Sequence, residues 1–306
     1  MFDGSDTVII LDGALATELE ERGANIDDPL WSAKILLEDP ALIQELHYDY
    51  FVAGADVAIT ASYQATFEGF AQRGYSHAQA ADLMQLSVRL AQAARDDFWA
   101  QAPPGRRRPL VAASVGSYGA FLADGSEYTG DYGLSRSKLM DFHRERMATL
   151  LSSGPDLLAC ETIPCQIEGE ALVELLAEFP DSRAWLSFSC CDETHVCHGE
   201  PFAECVRITA ESPQVVAVGI NCTAPDHITP LLESAAGISD KPLVVYPNRG
   251  ELWDALNHRW TDGTGITDFG AMVQTWHRHG ARFIGGCCRT TPHDIHQMAQ
   301  ALATYR

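Results

Sequence analysis

The chain has 306 residues, 46% of them hydrophobic and 21% charged, with a formal net charge of −21. That length suits one large α/β barrel or two ordinary domains, and the acidity argues against a nucleic-acid surface. No segment approaches the roughly 18 to 20 apolar residues of a membrane span. The acidic start, Met1-Phe2-Asp3-Gly4-Ser5-Asp6, lacks the basic and apolar regions of a signal peptide. Nine cysteines is an odd number, so free thiols in a reducing, cytoplasmic compartment are the simplest expectation, with metal ligation the usual reason for a cluster. Lysine is confined to Lys34, Lys138 and Lys241, none at the C-terminal end of a predicted strand, which weakens any Schiff-base chemistry.

Apolar, β-rich runs alternate with helical patterns along the chain. A strand at 7–11 ends in Asp12-Gly13 and leads to a helix at 15–22. A loop through Asp27-Asp28-Pro29-Leu30-Trp31 precedes a helix at 40–53. The second strand, 57–60, ends in Ser62-Tyr63-Gln64 and is followed by an alanine-rich helix at 76–99. Arg106-Arg107-Arg108 sits in a Pro/Gly loop and reads as a solvated turn. The third strand, 110–115, opens into a Gly/Tyr-rich loop at 116–133, the expected rim of an active site. A helix at 135–152, a strand at 157–162, a helix at 166–178 and a strand at 184–189 follow. The remaining strands are 215–222, 242–248 and 282–287, with helices at 226–236 and 292–304.

Continuously apolar strands separated by helices imply a parallel sheet covered on its outer face. Eight such units in this length imply one closed (β/α)8 TIM barrel over residues 1–306. The other candidate, an open doubly wound sheet, lacks its Gly-x-Gly-x-x-Gly turn after the first strand. In a barrel the C-terminal ends of the strands share one face. That places Asp12, Tyr63, Glu161, Asn221 and Asn248 on a common rim.

The same argument gathers cysteines. The sixth strand runs through Gly219-Ile220-Asn221 into Cys222, and the last runs through Gly285-Gly286 into Cys287-Cys288. Neighbouring side chains in a strand point to opposite faces, so Cys287 and Cys288 reach one metal only if the strand ends there. The paired glycines are expected to supply the backbone freedom for that break. Thr291 is placed to cap the next helix, with Pro292 at its first position. Cys222, Cys287 and Cys288 read as three thiolate ligands of one Zn2+, leaving the fourth tetrahedral position open, as a catalytic site needs. Three thiolates make an anionic centre that favours a deprotonated, nucleophilic substrate thiol over water activation. Such a centre also attracts a cationic methyl donor such as a sulfonium.

These residues resemble the zinc signature of homocysteine S-methyltransferases, and Leu11-Asp12-Gly13-Ala14 and Ala159-Cys160-Glu161-Thr162-Ile163-Pro164 are similar to other segments of that family. The resemblance spans essentially the whole chain. It implies a (β/α)8 barrel, one zinc on Cys222, Cys287 and Cys288, and methyl transfer to L-homocysteine, giving methionine. It further implies that Asp12 and Glu161 orient the homocysteine amino group and that Gly13 helps seat its carboxylate. Tyr63 matches a tyrosine that can approach the metal when substrate is absent, and Asn221 is placed with the substrate-binding set. Methionine synthases of the family add folate and corrinoid modules. Betaine-dependent members add a dimerisation arm and carry an aromatic residue where this chain has Thr162. The compact length and Glu161-Thr162-Ile163-Pro164 are most similar to enzymes using S-methylmethionine, some of which also accept S-adenosylmethionine. The expected partners are L-homocysteine and a sulfonium donor, for a monomer or weak homo-oligomer.

Competing readings stand beside this one. A betaine-dependent or other thiol S-methyltransferase differs only in donor or acceptor. A barrel metallohydrolase would want histidines at the strand ends, and a non-catalytic zinc protein would want a fourth ligand. A second cluster, Cys190, Cys191, His195, Cys197 and His198, has no recognisable zinc spacing and reads as incidental thiols and imidazoles. The aromatic residues Trp31, Tyr118, Phe121, Tyr128 and Tyr132 could wall a sulfonium by cation–π contact, with loop packing the commoner fate.

Overall fold

Parallel strands and helices alternate along the computed structural model, which describes residues 7–26, 28, 30–250, 253–254, 259–260 and 268–306. The expectations for residues 1–6, for Asp27 and Pro29 of the second loop, and for the side chain of Trp31 lie outside the described residues. The strands are β1 (Ile9–Ile10), β2 (Val57–Ile59), β3 (Leu110–Gly116), β4 (Leu157–Ile163), β5 (Ala184–Phe188), β6 (Val215–Asn221), β7 (Leu243–Tyr246), β8 (Trp253–Asp254), β9 (Arg259–Trp260) and β10 (Ala281–Ile284). The helices are α1 (Leu15–Glu21), α2 (Ile35–Glu38), α3 (Pro40–Ala53), α4 (Phe67–Gln72), α5 (His77–Trp99), α6 (Tyr118–Leu122), α7 (Arg136–Leu151), α8 (Gln166–Leu176), α9 (Phe202–Thr209), α10 (Pro225–Ser234), α11 (Gly270–Arg278) and α12 (Pro292–Ala301).

The main sheet has eight strands in the order β1-β10-β7-β6-β5-β4-β3-β2. Each neighbouring pair is parallel. A parallel bridge between Leu11 and Val57 joins its two ends. The Asp12 N–H donates to the Val57 carbonyl at 3.1 Å, and the Asp56 N–H to the Ile10 carbonyl at 2.6 Å. Closure removes both exposed edges and gives the (β/α)8 barrel read from the sequence. β8 and β9 form a separate antiparallel hairpin. No helix among the described residues is long and apolar enough to cross a membrane.

The period-two pattern of the strands divides the core into two layers. Leu11, Val57, Leu157, Trp185, Val244 and Phe283 pack inside the barrel. Ile10, Val111, Leu158, Leu186, Val218 and Ile284 face the helices, where they meet residues such as Tyr50, Phe70, Met147 and Trp276. Wall spacing is tight at Gly219, where an added Cβ would lie 1.9 Å from the Val244 carbonyl oxygen. Helix starts follow their local chemistry. Asp39 caps α3 ahead of Pro40, Ser76 and Gln79 form a capping box at α5, and Thr291 and Asp294 form another at α12, as expected of Thr291 and Pro292.

Three local expectations need correction. Arg106 is not a solvated turn residue: it donates to Asp56 and to the Ala55 carbonyl, and Arg306 joins the same carboxylate at 2.8 Å. This ties the second strand's entrance to the final residue of the chain. The loop at 116–133 contains the short helix α6 and a 3-10 turn, Ser126–Tyr128. Finally, Gly285 and Gly286 are absent from the positive-φ positions, so their role is close packing. A Cβ at Gly285 would come within 2.6 Å of Leu11 Cβ, and one at Gly286 within 2.2 Å of Thr290 Oγ1.

Candidate metal centre

The break that lets two adjacent cysteines face one point begins where β10 ends, at Ile284. The backbone then turns over Gly285-Gly286. The Gly286 N–H donates to the Asp12 carbonyl at 3.1 Å, and the Cys287 N–H to the Pro247 carbonyl at 2.8 Å. Thr290 closes the turn by donating its hydroxyl to the Cys287 carbonyl at 2.6 Å, and Arg289 takes a φ of 71°. On the facing wall Cys222 follows β6 with a φ of 49°, its N–H on the Tyr246 carbonyl at 3.2 Å. Left-handed backbone at a non-glycine residue marks a place where surrounding structure dictates the conformation.

The sulfurs of Cys222, Cys287 and Cys288 all lie within 4.8 Å of one another, and Cys222 Sγ is 3.7 Å from Cys288 Sγ. Tetrahedral zinc with Zn–S bonds of about 2.3 Å separates neighbouring sulfurs by about 3.8 Å, so the observed spacing fits that ion. Among the described residues no further histidine, cysteine or carboxylate joins the group. The donor set therefore offers three protein ligands and an open side. Without a cation one negative charge dominates. Hydrogen bonds from Cys287, Cys288, Tyr128 and Asn248 hold the Cys222 thiol well below the usual range. The Cys287 and Cys288 thiols are pushed up, by Cys222 first. Three thiols in one buried site cannot ionise together until a cation compensates them.

Besides Asn248, two residues reach the sulfurs. Tyr128, in the 3-10 turn of the long loop, brings its hydroxyl to 3.3 Å from Cys222 Sγ. Asn221 sends its amide nitrogen toward Cys287 Sγ at 4.0 Å, while its oxygen and nitrogen also engage Thr162. Tyr63 lies alongside, with its phenol in a hydrogen bond to Thr162 and burial pushing its pKa well up.

The mouth also carries two acids. Asp12 is buried; its Oδ2 accepts the Ile59 N–H at 2.8 Å and its Oδ1 meets no partner among the described residues. Burial, with the nearby Glu161 adding to it, pushes the Asp12 carboxyl well above the usual range. Glu161 ends β4's inward face and accepts the Ser114 hydroxyl. Burial pushes its carboxyl up to about 7, against hydrogen bonds from Ser114 and Tyr246. Tyr246 is itself set by Trp185 Nε1 at 3.0 Å and Ser187 Oγ at 2.5 Å. Two acids held above their usual range and facing one space form a site short of a cation. Gly13 sits beside them, and a Cβ there would lie 2.9 Å from Thr290 Oγ1 and 3.0 Å from the Tyr50 ring.

The geometry thus brings together Asp12, Gly13, Tyr63, Glu161, Asn221, Asn248 and the three cysteines. Tyr118, Phe121 and Tyr132 go elsewhere: Tyr118 packs on Phe121, Tyr132 and Phe142 at centroid distances of 4.9–5.6 Å, as loop packing. The Cys190–His198 segment folds as a small hairpin, with Cys190 opposite Val196, and gathers no metal-ligand group among the described residues. Glu127 was not anticipated. Its Oε2 is buried without a partner among the described residues, and burial, with Cys222 nearby, pushes the carboxyl up to about 7. Ser114 and Tyr246 were also missed, although each is a lone polar residue in an inward-facing position of an apolar strand.

The sequence profile described as "Homocysteine S-methyltransferase" matches residues 9–302. The chain is 53% identical over 294 residues to Homocysteine S-methyltransferase YbgG of Bacillus subtilis (strain 168), covering 95% of this chain and 93% of that protein. It is 52% identical over 289 residues to Homocysteine S-methyltransferase of Escherichia coli (strain K12), covering 94% and 93% respectively. The crystal structure of the homocysteine methyltransferase MmuM from Escherichia coli, in its metallated form, superposes with a TM-score of 0.87 at 49% identity, covering 96% of each chain. On this agreement of profile, relatives and barrel, the chain belongs to the homocysteine S-methyltransferase family.

Proposed function

We propose that this chain is a methyltransferase that moves a methyl group from a sulfonium donor to the sulfur of L-homocysteine, forming methionine, with zinc held by Cys222, Cys287 and Cys288. The observation that carries the reading is the pairing, in one barrel mouth, of three gathered sulfurs with two buried acids that burial holds above their usual range. A bound zinc ion supplies loss of the substrate thiol proton at neutral pH, and its thiolate shell leaves the substrate sulfur electron-rich. The unpartnered Oδ1 of Asp12 and the Glu161 carboxylate take the homocysteine ammonium, and Gly13 lets its carboxylate approach the backbone. Tyr63 and Asn221 border the sulfur end. Ser114 and Tyr246 hold Glu161 in place, so its charge is oriented before substrate arrives.

The buried, unpartnered oxygen of Glu127 favours a cationic donor over a neutral one. S-methylmethionine is the proposed donor and S-adenosylmethionine the second, because Thr162 follows Glu161 where betaine-using relatives carry an aromatic residue. Homocysteine sulfur bonds to the donor methyl as the bond from that methyl to the sulfonium breaks, its electron pair leaving with the thioether. We also propose that residues 1–306 form one barrel domain acting as a cytoplasmic monomer or weak homo-oligomer. The cysteines, all unpaired, suit a reducing compartment. The test is methionine formation by zinc-loaded, reduced protein given L-homocysteine with S-methylmethionine, S-adenosylmethionine or betaine in parallel. Methionine forming fastest with S-methylmethionine is expected. No methionine with any donor, from protein shown to hold zinc, overturns the reading.

A further inference from the structure

Thr162 stands at the mouth end of β4 with a φ of 57°, a region that a β-branched residue rarely adopts. One side chain from across the barrel holds it there. Asn221 Oδ1 accepts the Thr162 N–H at 2.8 Å, and Asn221 Nδ2 donates to Thr162 Oγ1 at 2.7 Å. Thr162 is 3% exposed and Asn221 0%, so either residue alone would leave the other's polar groups buried and unpaired. The clasp does not stop at the pair. The Thr162 side chain also shares a hydrogen bond with the Tyr63 phenol. The remaining hydrogen of Asn221 Nδ2 is directed to Cys287 Sγ, 4.0 Å away. A continuous chain of contacts therefore runs from Cys287 through Asn221 and Thr162 to Tyr63. The next residue after Asn221 is Cys222, itself at a φ of 49°. Strained backbone on both sides of one hydrogen-bonded pair persists only where the pair over-determines it.

We propose that Thr162 is a positioning residue of the metal centre: its hydroxyl, held between Asn221 and Tyr63, aims the Asn221 amide at Cys287 and keeps the sulfurs at ligating distance. The Thr162 hydroxyl accepts from Asn221 and is hydrogen-bonded to Tyr63, so it acts through its neighbours. The same geometry reassigns Asn221 from substrate contact to positioning, because both ends of its amide serve Thr162 and Cys287. Outer partners that orient metal ligands commonly affect metal affinity by about 10- to 100-fold.

This inference rests on the zinc reading, and zinc affinity tests it without needing methyl transfer. Zinc binding is measured by chelator competition on the unsubstituted protein, on Thr162→Val, which keeps the branched shape and removes the hydroxyl, and on Thr162→Ser, which keeps the hydroxyl. Unfolding midpoints of the zinc-free proteins are measured in parallel. The valine variant is expected to bind zinc about 10- to 100-fold more weakly, with the serine variant near the unsubstituted protein. A purely structural role would lower the midpoints without separating valine from serine in zinc affinity, and would overturn the proposal. So would a valine variant that binds zinc as tightly as the unsubstituted protein. Should the valine variant fail to fold, Asn221→Asp removes the donor to Thr162 and Cys287, and unchanged zinc affinity there is equally decisive. Unsubstituted protein that takes up no zinc would instead overturn the zinc reading itself.

Discussion

The two acids at the barrel mouth have opposite requirements before and after substrate arrives, and Glu161 makes this measurable. Burial pushes its carboxyl up to about 7 despite donors from Ser114 and Tyr246. Below that pH the ligand-free protein holds it neutral, and a substrate ammonium must displace the proton to gain its charge. The KM for homocysteine is therefore expected to rise as pH falls through about 7. Glu161→Gln should raise that KM by about 10- to 100-fold at pH 8, the worth of a hydrogen bond to a charged group, and flatten its pH dependence. Steady-state kinetics at fixed donor concentration checks both; an unchanged KM removes Glu161 from the substrate seat. At the sulfurs, Cys288→Ser exchanges a soft thiolate for a hard hydroxyl beside Cys222, 3.7 Å away. Metal content should collapse and methyl transfer fall by more than about 100-fold, beyond what loss of an outer partner costs. Metal analysis and methionine formation on the same preparation read this out.

The long loop after β3 becomes part of the site because two buried ionisable groups anchor its ends. Arg146, on α7, is 1% exposed and donates to the carbonyls of Gly116, Ser62 and Tyr63 at 2.9, 2.8 and 2.5 Å. Glu168, on α8, accepts the Tyr118 N–H at 2.6 Å, His143 Nε2 at 2.9 Å and the Tyr132 hydroxyl at 3.1 Å. Two helices thus hold the segment that presents Glu127 and Tyr128 to the sulfurs. Arg146→Met would take this donor from the Gly116 and Tyr63 carbonyls, while the Ser62 carbonyl keeps the Ala65 N–H at 3.1 Å, and a loss of about 1–3 kcal/mol is expected, the usual cost of leaving a buried polar group unsatisfied. Denaturant unfolding measures it, and a loss under about 1 kcal/mol would show the anchor to be dispensable. Helix starts were readable because a capping box needs only four consecutive residues, as at Thr291 and Asp294. The helices α2, α4, α6, α9 and α11 went unread.

Across the whole molecule, burying Glu161 makes stability depend on pH. The folded-state pKa of Glu161, about 7, lies above its ordinary 4.5. The folded protein then binds the extra proton over that interval, so stability from this group is complete below about pH 4.5 and is lost as pH rises through about 7. The change is on the order of 3 kcal/mol. Chemical unfolding of ligand-free protein at pH 5 and pH 8, compared with Glu161→Gln, should show that the variant lacks this part of the decline. Equal slopes in the two proteins would mean that Glu161 is charged in the free enzyme at both pH values. Barrel closure sets a second limit. Gly219→Ala would drive a Cβ into the Val244 carbonyl between β6 and β7, and is expected to lower the unfolding midpoint and to shift the strand end that carries Asn221 and Cys222.

The alternation of apolar strands with helices was enough to specify the barrel, and the barrel was enough to gather Cys222, Cys287, Cys288, Asp12 and Glu161. Parallel strands must all end on one face, so residues at those ends meet whatever their separation along the chain. Tertiary structure alone decided the contacts that complete the mouth. Tyr128 meets Cys222 across 94 positions, Thr162 meets Asn221 across 59, and Ser114 meets Glu161 across 47. Which loop residue folds over the opening, and which inward hydroxyl meets which acid, depends on barrel register and on helix anchors such as Arg146 and Glu168. The period of a single strand and the spacing of a local motif hold no record of either.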